Sequence, residues 1–272
     1  MKCNKSPGPD KVINEYIITA KEKLTPIFVK LFNSIMFSGI YPNTWSIGEI
    51  IPIFKNKGDD GDPKNYRPIT LSSSISKLFS IVLNERLNTF FAATNTIERN
   101  QGAFLKGTST TNHLLALHSL IEYSKSMKKT LYCAFMDLSR AYDVIDRNMM
   151  STKLLECGVK GNFFNIIKSM YSNTKSYIKY NNLNSTLFKT NTGIKQGCNL
   201  SCLIFAVYLN DLEKTMENRN CKGININNRH NQYTMLKLFT LLYADDTIIL
   251  ANTERDLQHS LKYTLNIATN GN

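Results

Sequence analysis

Residues 241–250 read LLYADDTIIL, and this stretch limits the fold more than any other. Leu241, Leu242, Ile248, Ile249 and Leu250 have the composition of buried strands. Two adjacent carboxylates, Asp245 and Asp246, interrupt them. Carboxylates are seldom fully buried, because losing water destabilises an ion by several kcal/mol unless something compensates. The pattern therefore predicts two apolar strands joined by an acidic tip. Ala-Asp-Asp suits a tight turn with its charge in water. On these residues alone the tip is either a solvated turn or a place where charge is put to use.

The 272 residues, 42% of them hydrophobic, are enough for one large domain or two intertwined ones with a sizeable core. Lys and Arg number 33 against 21 Asp and Glu, a net charge of +12. Such an excess suits a phosphate-rich partner, since each neutralised phosphate releases a counterion. Charge alone does not identify that partner. Cys3, Cys133, Cys157, Cys198, Cys202 and Cys221 contain no Cys-x-x-Cys pair, and no histidine pair completes a zinc set. His113 and His118, five apart, do not share a helical face. The cysteines read as free thiols of a reducing compartment. The opening MKCNKSPGPDK has no signal-peptide core, and no apolar run reaches membrane-spanning length. The expectation is a soluble intracellular protein, not secreted and without a membrane partner.

Along the chain, the pattern predicts helices over 14–38, 76–91 and 111–127, then 147–157, 162–171, 200–217 and 254–268. Strands are expected at 50–54 and 131–138, near 176–180 and 186–190, and on both sides of the acidic tip. The segment from Lys55 to Pro68 reads as a turn-rich loop. Its Asp59, Asp60 and Asp62 lack the spacing of a calcium loop. The Asn-rich stretch 218–232 reads as an exposed loop. Mixed strands and helices in this order favour an α+β fold.

Asp137 ends the predicted strand LYCAFMDL. Its ordinary role would be a helix cap, since DLSRAYD could open a helix. A strand-end aspartate facing the two-aspartate tip would instead gather three carboxylates, a self-repelling set without cations. With two divalent cations it becomes a two-metal site, and oxygen ligands favour Mg²⁺ over zinc.

FMDLSRAYD (135–143), GIKQGCNLSCLIF (193–205) and YADD (243–246), in that order, resemble the successive polymerase motifs of reverse transcriptases. Upstream, GIYPNTWSIGEIIPIFKNKG (39–58), NYRPITLSSSISKLFSIVLNERL (65–87) and QGAFLKGTSTTNHLL (101–115) resemble the non-LTR (LINE-type) retrotransposon branch. The resemblance covers nearly the whole chain. One A-D-D is weak evidence; six motifs in order are strong.

The resemblance implies a right-hand polymerase fold with fingers at approximately 1–97 and 147–192 and palm at approximately 98–146 and 193–272. The thumb is expected to be absent and the chain to be a truncated fragment. It implies Asp137, Asp245 and Asp246 as catalytic metal ligands for two Mg²⁺ ions, with Mn²⁺ a possible substitute. Tyr142 stands where the family places its gate against a 2′-hydroxyl. Gln196 and Gly197 match the loop near the incoming nucleotide, where Gly lets backbone approach a ligand. Arg67 matches the arginine on the triphosphate, with Lys55 or Lys57 beside it. The implied partners are an RNA template, a DNA primer and deoxynucleoside triphosphates, within a nuclear or cytoplasmic ribonucleoprotein. Oligomeric state is unknown. The alternative is a catalytically impaired remnant that only binds nucleic acid. Asn199 and Cys202 depart from the family's prolines, which removes a preorganised first helical turn.

Overall fold

The structure is a computed structural model describing residues 1–98, 101–103, 109–138, 141–195, 197–228, 231–244 and 246–270. In chain order the first elements are α1 (Asn14–Thr19), α2 (Lys21–Ser38), β1 (Ile47–Phe54), β2 (Tyr66–Leu71), α3 (Ser74–Thr94) and α4 (Thr110–Ser126). Next come β3 (Tyr132–Asp137), α5 (Arg147–Glu156), α6 (Gly161–Ser172), β4 (Lys175–Tyr180), β5 (Leu183–Asn184) and β6 (Phe188–Lys189). Then follow α7 (Asn199–Tyr208), α8 (Leu212–Asn218), β7 (Ile224–Asn228), β8 (Asn231–Leu238), β9 (Thr240–Tyr243), β10 (Asp246–Ala251) and α9 (Glu254–Asn270). Among the described residues no helix is long and apolar enough to cross a membrane.

The chain divides into two units, Met1–Leu87 with Ile145–Ser201, and Asn88–Val144 with Cys202–Asn272. In the first, β2, β1 and β4 form a sheet extended by β5 and β6. The β1–β2 pair is antiparallel, with Ile53 opposite Arg67, whereas β1 and β4 run parallel. Phe32, Phe79 and Leu83 are buried with Met150, Leu154, Ile166 and Ile167. Aromatic rings bring the first of these together, Phe32 and Phe79 having centroids 4.9 Å apart and Trp45 lying 5.9 Å from Phe79. Glu49 is buried on this sheet between Lys11 and Lys179, each with Nζ 3.5 Å from its carboxylate. Burial opposes its charge, but the Tyr177 hydroxyl and the two ammonium groups outweigh that and hold the carboxyl below its ordinary value.

Local chemistry sets several boundaries. Gly39, at φ 72, ends α2 in a left-handed cap that glycine adopts without steric cost. Asp146 caps α5 by accepting from Met149 N at 2.7 Å. Thr253 caps α9, its Oγ1 accepting from Asp256 N and donating to Asp256 Oδ2.

In the second unit β10 lies between β3 and β9, antiparallel to both. Side chains alternate across such a sheet. One face packs Leu241, Leu250, Cys133 and Ile248 against Leu117 and Leu120 of α4 and Ile224 of β7. The other packs Leu242, Ile249, Ala134 and Met136 against Leu212 and Met216 of α8 and Leu257 and Leu261 of α9. Burial on both faces explains the unbroken apolar composition of β10.

Three sequence expectations are corrected. The loop expected to run to Pro68 ends earlier, because Tyr66–Leu71 pairs with β1 as β2. The expected helix 200–217 is interrupted between α7 and α8. There Asn210 turns its amide to the backbone instead, accepting from Glu98 N and donating to Thr96 O, each at 2.9 Å. The Asn-rich stretch forms β7 and the start of β8, paired from Ile224–Leu238 to Asn228–Asn231. Buried Ile224 and half-buried Ile226 alternate with the asparagines and supply the packing that asparagine cannot.

Candidate active site

The β3–β10 register sets Asp246 directly opposite Asp137. Both are exposed, and both stand on the face that carries Phe135 and Ile248, the next in-register pair on that side. Directly opposed residues on one face have Cβ atoms about 4.5–5.5 Å apart, and like charges there repel. Beyond them Ile249 and Leu250, each at 0% exposure, anchor β10 on both of its faces. Asp137 is thus a strand-end residue and caps no helix among the described residues; that role at α5 belongs to Asp146.

Asp246 also pairs with Tyr243 across the β9–β10 turn. Ala244 sits at φ 58, the left-handed region that favours glycine. Asp245 lies outside the described residues. Among the described residues no group of three or more His, Cys, Asp and Glu forms a metal cluster. Asp137 and Asp246 present two hard, solvent-exposed oxygen donors in register, the donor type that hard divalent cations take.

Tyr142 follows β3 in a turn, just after Ala141, whose N donates to Leu138 O at 3.0 Å. Its ring stacks on Phe205 of α7, with centroids 5.1 Å apart and planes at 18°. Its hydroxyl donates to Cys202 Sγ at 3.8 Å. Asp137, Tyr142 and Asp246 belong to the second unit.

Lys55, Arg67 and Gly197 belong to the first unit, and Gln196 lies outside the described residues. Arg67 is exposed on β2. Lys55 donates from Nζ to Lys64 O at 2.8 Å within the 55–65 loop. That loop is closed by its own acids: Asp59 accepts from Gly61 N, and Asp62 accepts from Lys64 N. Gly197 has φ 97, and a Cβ there would lie 3.2 Å from Thr70 O, so both conformation and space call for glycine.

Two cations absent from the sequence reading hold the segment before Gly197. The Arg147 guanidinium donates to the carbonyls of Tyr171, Thr190, Thr192 and Gly193 at 2.7–3.0 Å, and to Thr174 Oγ1 at 2.8 Å. Its charge also lies 5.5 Å from the centroid of the Tyr171 ring. Burial pulls the guanidinium below its ordinary pKa. Lys195 Nζ reaches the Trp45 and Ser46 carbonyls at 3.4 and 3.3 Å, and burial pulls it down to about 8. No sequence signal marks either role, because the acceptors are main-chain carbonyls that every residue carries.

Comparison with known proteins follows the same lines. The family model for reverse transcriptase (RNA-dependent DNA polymerase) matches residues 54–271. A probable RNA-directed DNA polymerase from transposon BS of Drosophila melanogaster is 25% identical over 92% of this chain and 26% of its own length. The Pol polyprotein from the type-1 retrotransposable element R2 of Nasonia vitripennis is 25% identical over 93% of this chain and 23% of its own. The polyprotein from the type-2 element R2DM of Drosophila melanogaster is 24% identical over 97% and 24%. The chain thus spans about a quarter of the length of these relatives. Among solved structures, telomerase from Candida albicans superposes with a TM-score of 0.57 at 10% identity, over 89% of this chain and 43% of that one. Telomerase from Candida tropicalis gives 0.51 at 12%, over 82% and 47%. At such identities the likeness shows a shared, polymerase-like fold of mixed α and β elements and nothing finer.

Proposed function

The chain belongs to the reverse transcriptase family, with relatives among non-LTR retrotransposons, and we propose that it performs RNA-directed DNA synthesis. The observation that carries the reading is the direct register of Asp137 with Asp246. Two repelling carboxylates held opposite each other in water have a use when they share a cation. In this reading the palm is approximately 98–146 and 193–272, with β3, β9 and β10, and the fingers are approximately 1–97 and 147–192, with β1, β2 and β4.

Asp137, Asp245 and Asp246 would hold two Mg²⁺ ions, with Mn²⁺ a possible substitute. Bound there, such ions neutralise charge on the attacking and leaving oxygens. The chain's own residues do the rest. The reaction is attack of a primer 3′-hydroxyl on the α-phosphate of a deoxynucleoside triphosphate, with pyrophosphate leaving and the RNA template dictating the base. Arg67, with Lys55 near it, offers donors to the triphosphate oxygens. Gln196 and Gly197 form the nucleotide-side loop, and the absence of a side chain at Gly197 allows close approach. The Tyr142 ring excludes a 2′-hydroxyl from the sugar site. The net charge of +12 suits a primer–template duplex. This reading puts the chain in an intracellular ribonucleoprotein, nuclear or cytoplasmic.

The test is primer extension on an RNA template with Mg²⁺, run beside Asp137→Asn. Extension by the parent chain that the variant lacks supports the reading. Salt-dependent primer–template binding with equal, negligible extension by both would reduce the chain to a nucleic-acid-binding remnant. In the same assay Tyr142→Val is expected to raise ribonucleotide incorporation relative to deoxynucleotide by about 10- to 100-fold, roughly 1–3 kcal/mol of lost steric discrimination. Unchanged sugar selectivity in an active variant would remove Tyr142 from the gate.

A further inference from the structure

We propose that Cys202 is a positioning residue for sugar selection, its sulfur holding the Tyr142 ring in the one pose set by stacking on Phe205. The inference rests on the reading of Tyr142 as the gate. Tyr142 lies on a turn after β3, so no strand ladder fixes its ring. The stack on Phe205, nearly parallel at 18°, constrains the ring's distance and tilt. Offset stacks leave in-plane sliding soft, because dispersion changes little as two faces shift past each other.

The hydrogen bond from the Tyr142 hydroxyl to Cys202 Sγ adds a restraint at the far end of the ring. Cys202 and Phe205 are three residues apart on α7, the spacing at which helical side chains share a face. One helix face therefore grips the ring at two points. A ring fixed at its face and its tip excludes a 2′-hydroxyl more sharply than a ring fixed at its face alone. Cys202 is also one of the two positions where the chain departs from the proline of the motif it resembles. Proline has no side-chain group to meet a phenol.

Two measurements on the full chain test this. Alkylation by N-ethylmaleimide, followed residue by residue with peptide mass spectrometry, reads the thiol directly, with exposed Cys3 as internal reference. The thiolate is the species alkylated, and a donor to the sulfur favours it, so removing the phenol by Tyr142→Phe is expected to slow Cys202 alkylation about two- to tenfold relative to Cys3, the range of one hydrogen bond. An unchanged ratio overturns the pairing whether or not the chain polymerises.

The second measurement is a double-mutant cycle on the ratio of deoxynucleotide to ribonucleotide kcat/KM. Cys202→Ala is expected to lower that ratio about two- to fivefold in the parent chain and to leave it unchanged in the Tyr142→Phe background. An equal fall in both backgrounds, or a fall in neither, overturns the positioning role, since the effect would not then pass through the hydroxyl. If alkylation responds while Tyr142→Val leaves sugar selectivity untouched, the gate reading fails and the thiol–phenol pair stands.

Discussion

Replacing Asp137 with Asn is expected to abolish primer extension and, in the same molecule, to make the fold more stable. The two effects have one cause. Asp137 faces Asp246 across the β3–β10 ladder, and opposed like charges on one sheet face destabilise it. Neutralising one carboxylate removes that repulsion, worth about 0.5 kcal/mol at an exposed pair. The melting temperature should rise by about 1–2 °C for a chain of this size. Extension should fall by at least about a thousandfold, because an amide oxygen is a poor substitute for a carboxylate beside a divalent cation. Mg²⁺ should stabilise the parent chain more than the variant, since a ligand that binds only the folded state adds to its stability. A variant that loses stability along with activity would place Asp137 in the framework and not in the chemistry. Differential scanning fluorimetry with and without Mg²⁺, run beside the extension assay, separates the cases.

A large loss of stability is expected at Arg147. Arg147→Ala withdraws donors from four carbonyls and a hydroxyl at once. Thr190 O and Thr174 Oγ1 keep each other and the Thr190 hydroxyl as partners, so the carbonyls of Tyr171, Thr192 and Gly193 lose most, at about 1 kcal/mol each after partial rescue by water. The sum is about 2–4 kcal/mol, discounted because the guanidinium is only partly out of solvent. Arg147→Lys should recover less than half of it, since one ammonium offers three donors and lacks the planar fork. Urea denaturation reads the total. Hydrogen exchange reads where it falls, with amides of the 190–195 segment expected to lose protection first. Protection that falls evenly over α5 and α6 while that segment is spared would show that Arg147 serves the helices alone. The loosened segment runs into Gly197, so KM for the nucleotide should rise more than kcat falls.

How much of this is legible without a structure depends on what kind of group makes the contact. The apolar runs on both sides of the acidic tip predict a hairpin, and β9 and β10 form it, because period and composition act locally. Asp137 likewise reads as a strand end. Its register with Asp246 does not, since pairing between segments so far apart leaves no mark in either one. The β7–β8 hairpin is hidden by asparagine, whose low strand propensity is overridden where Ile224 is buried beside Leu241 and Leu250. The break after α7 is hidden by continuous apolar composition; only Asn210–Asp211 hints at it. Arg147 and Lys195 are illegible for a different reason, since their partners are backbone oxygens. Cys202 leaves a trace only as a departure from an expected proline.

The left-handed Ala244 at the acidic tip has a further consequence. An L-residue there is strained by about 1 kcal/mol, which glycine would relieve. Glycine would also enlarge the unfolded ensemble by a comparable 0.4–1 kcal/mol or so. The two nearly cancel, so alanine and glycine give hairpins of similar overall stability. What differs is the number of shapes open to the tip while it stays folded. The methyl group narrows that number at the one position where the backbone turns left-handed.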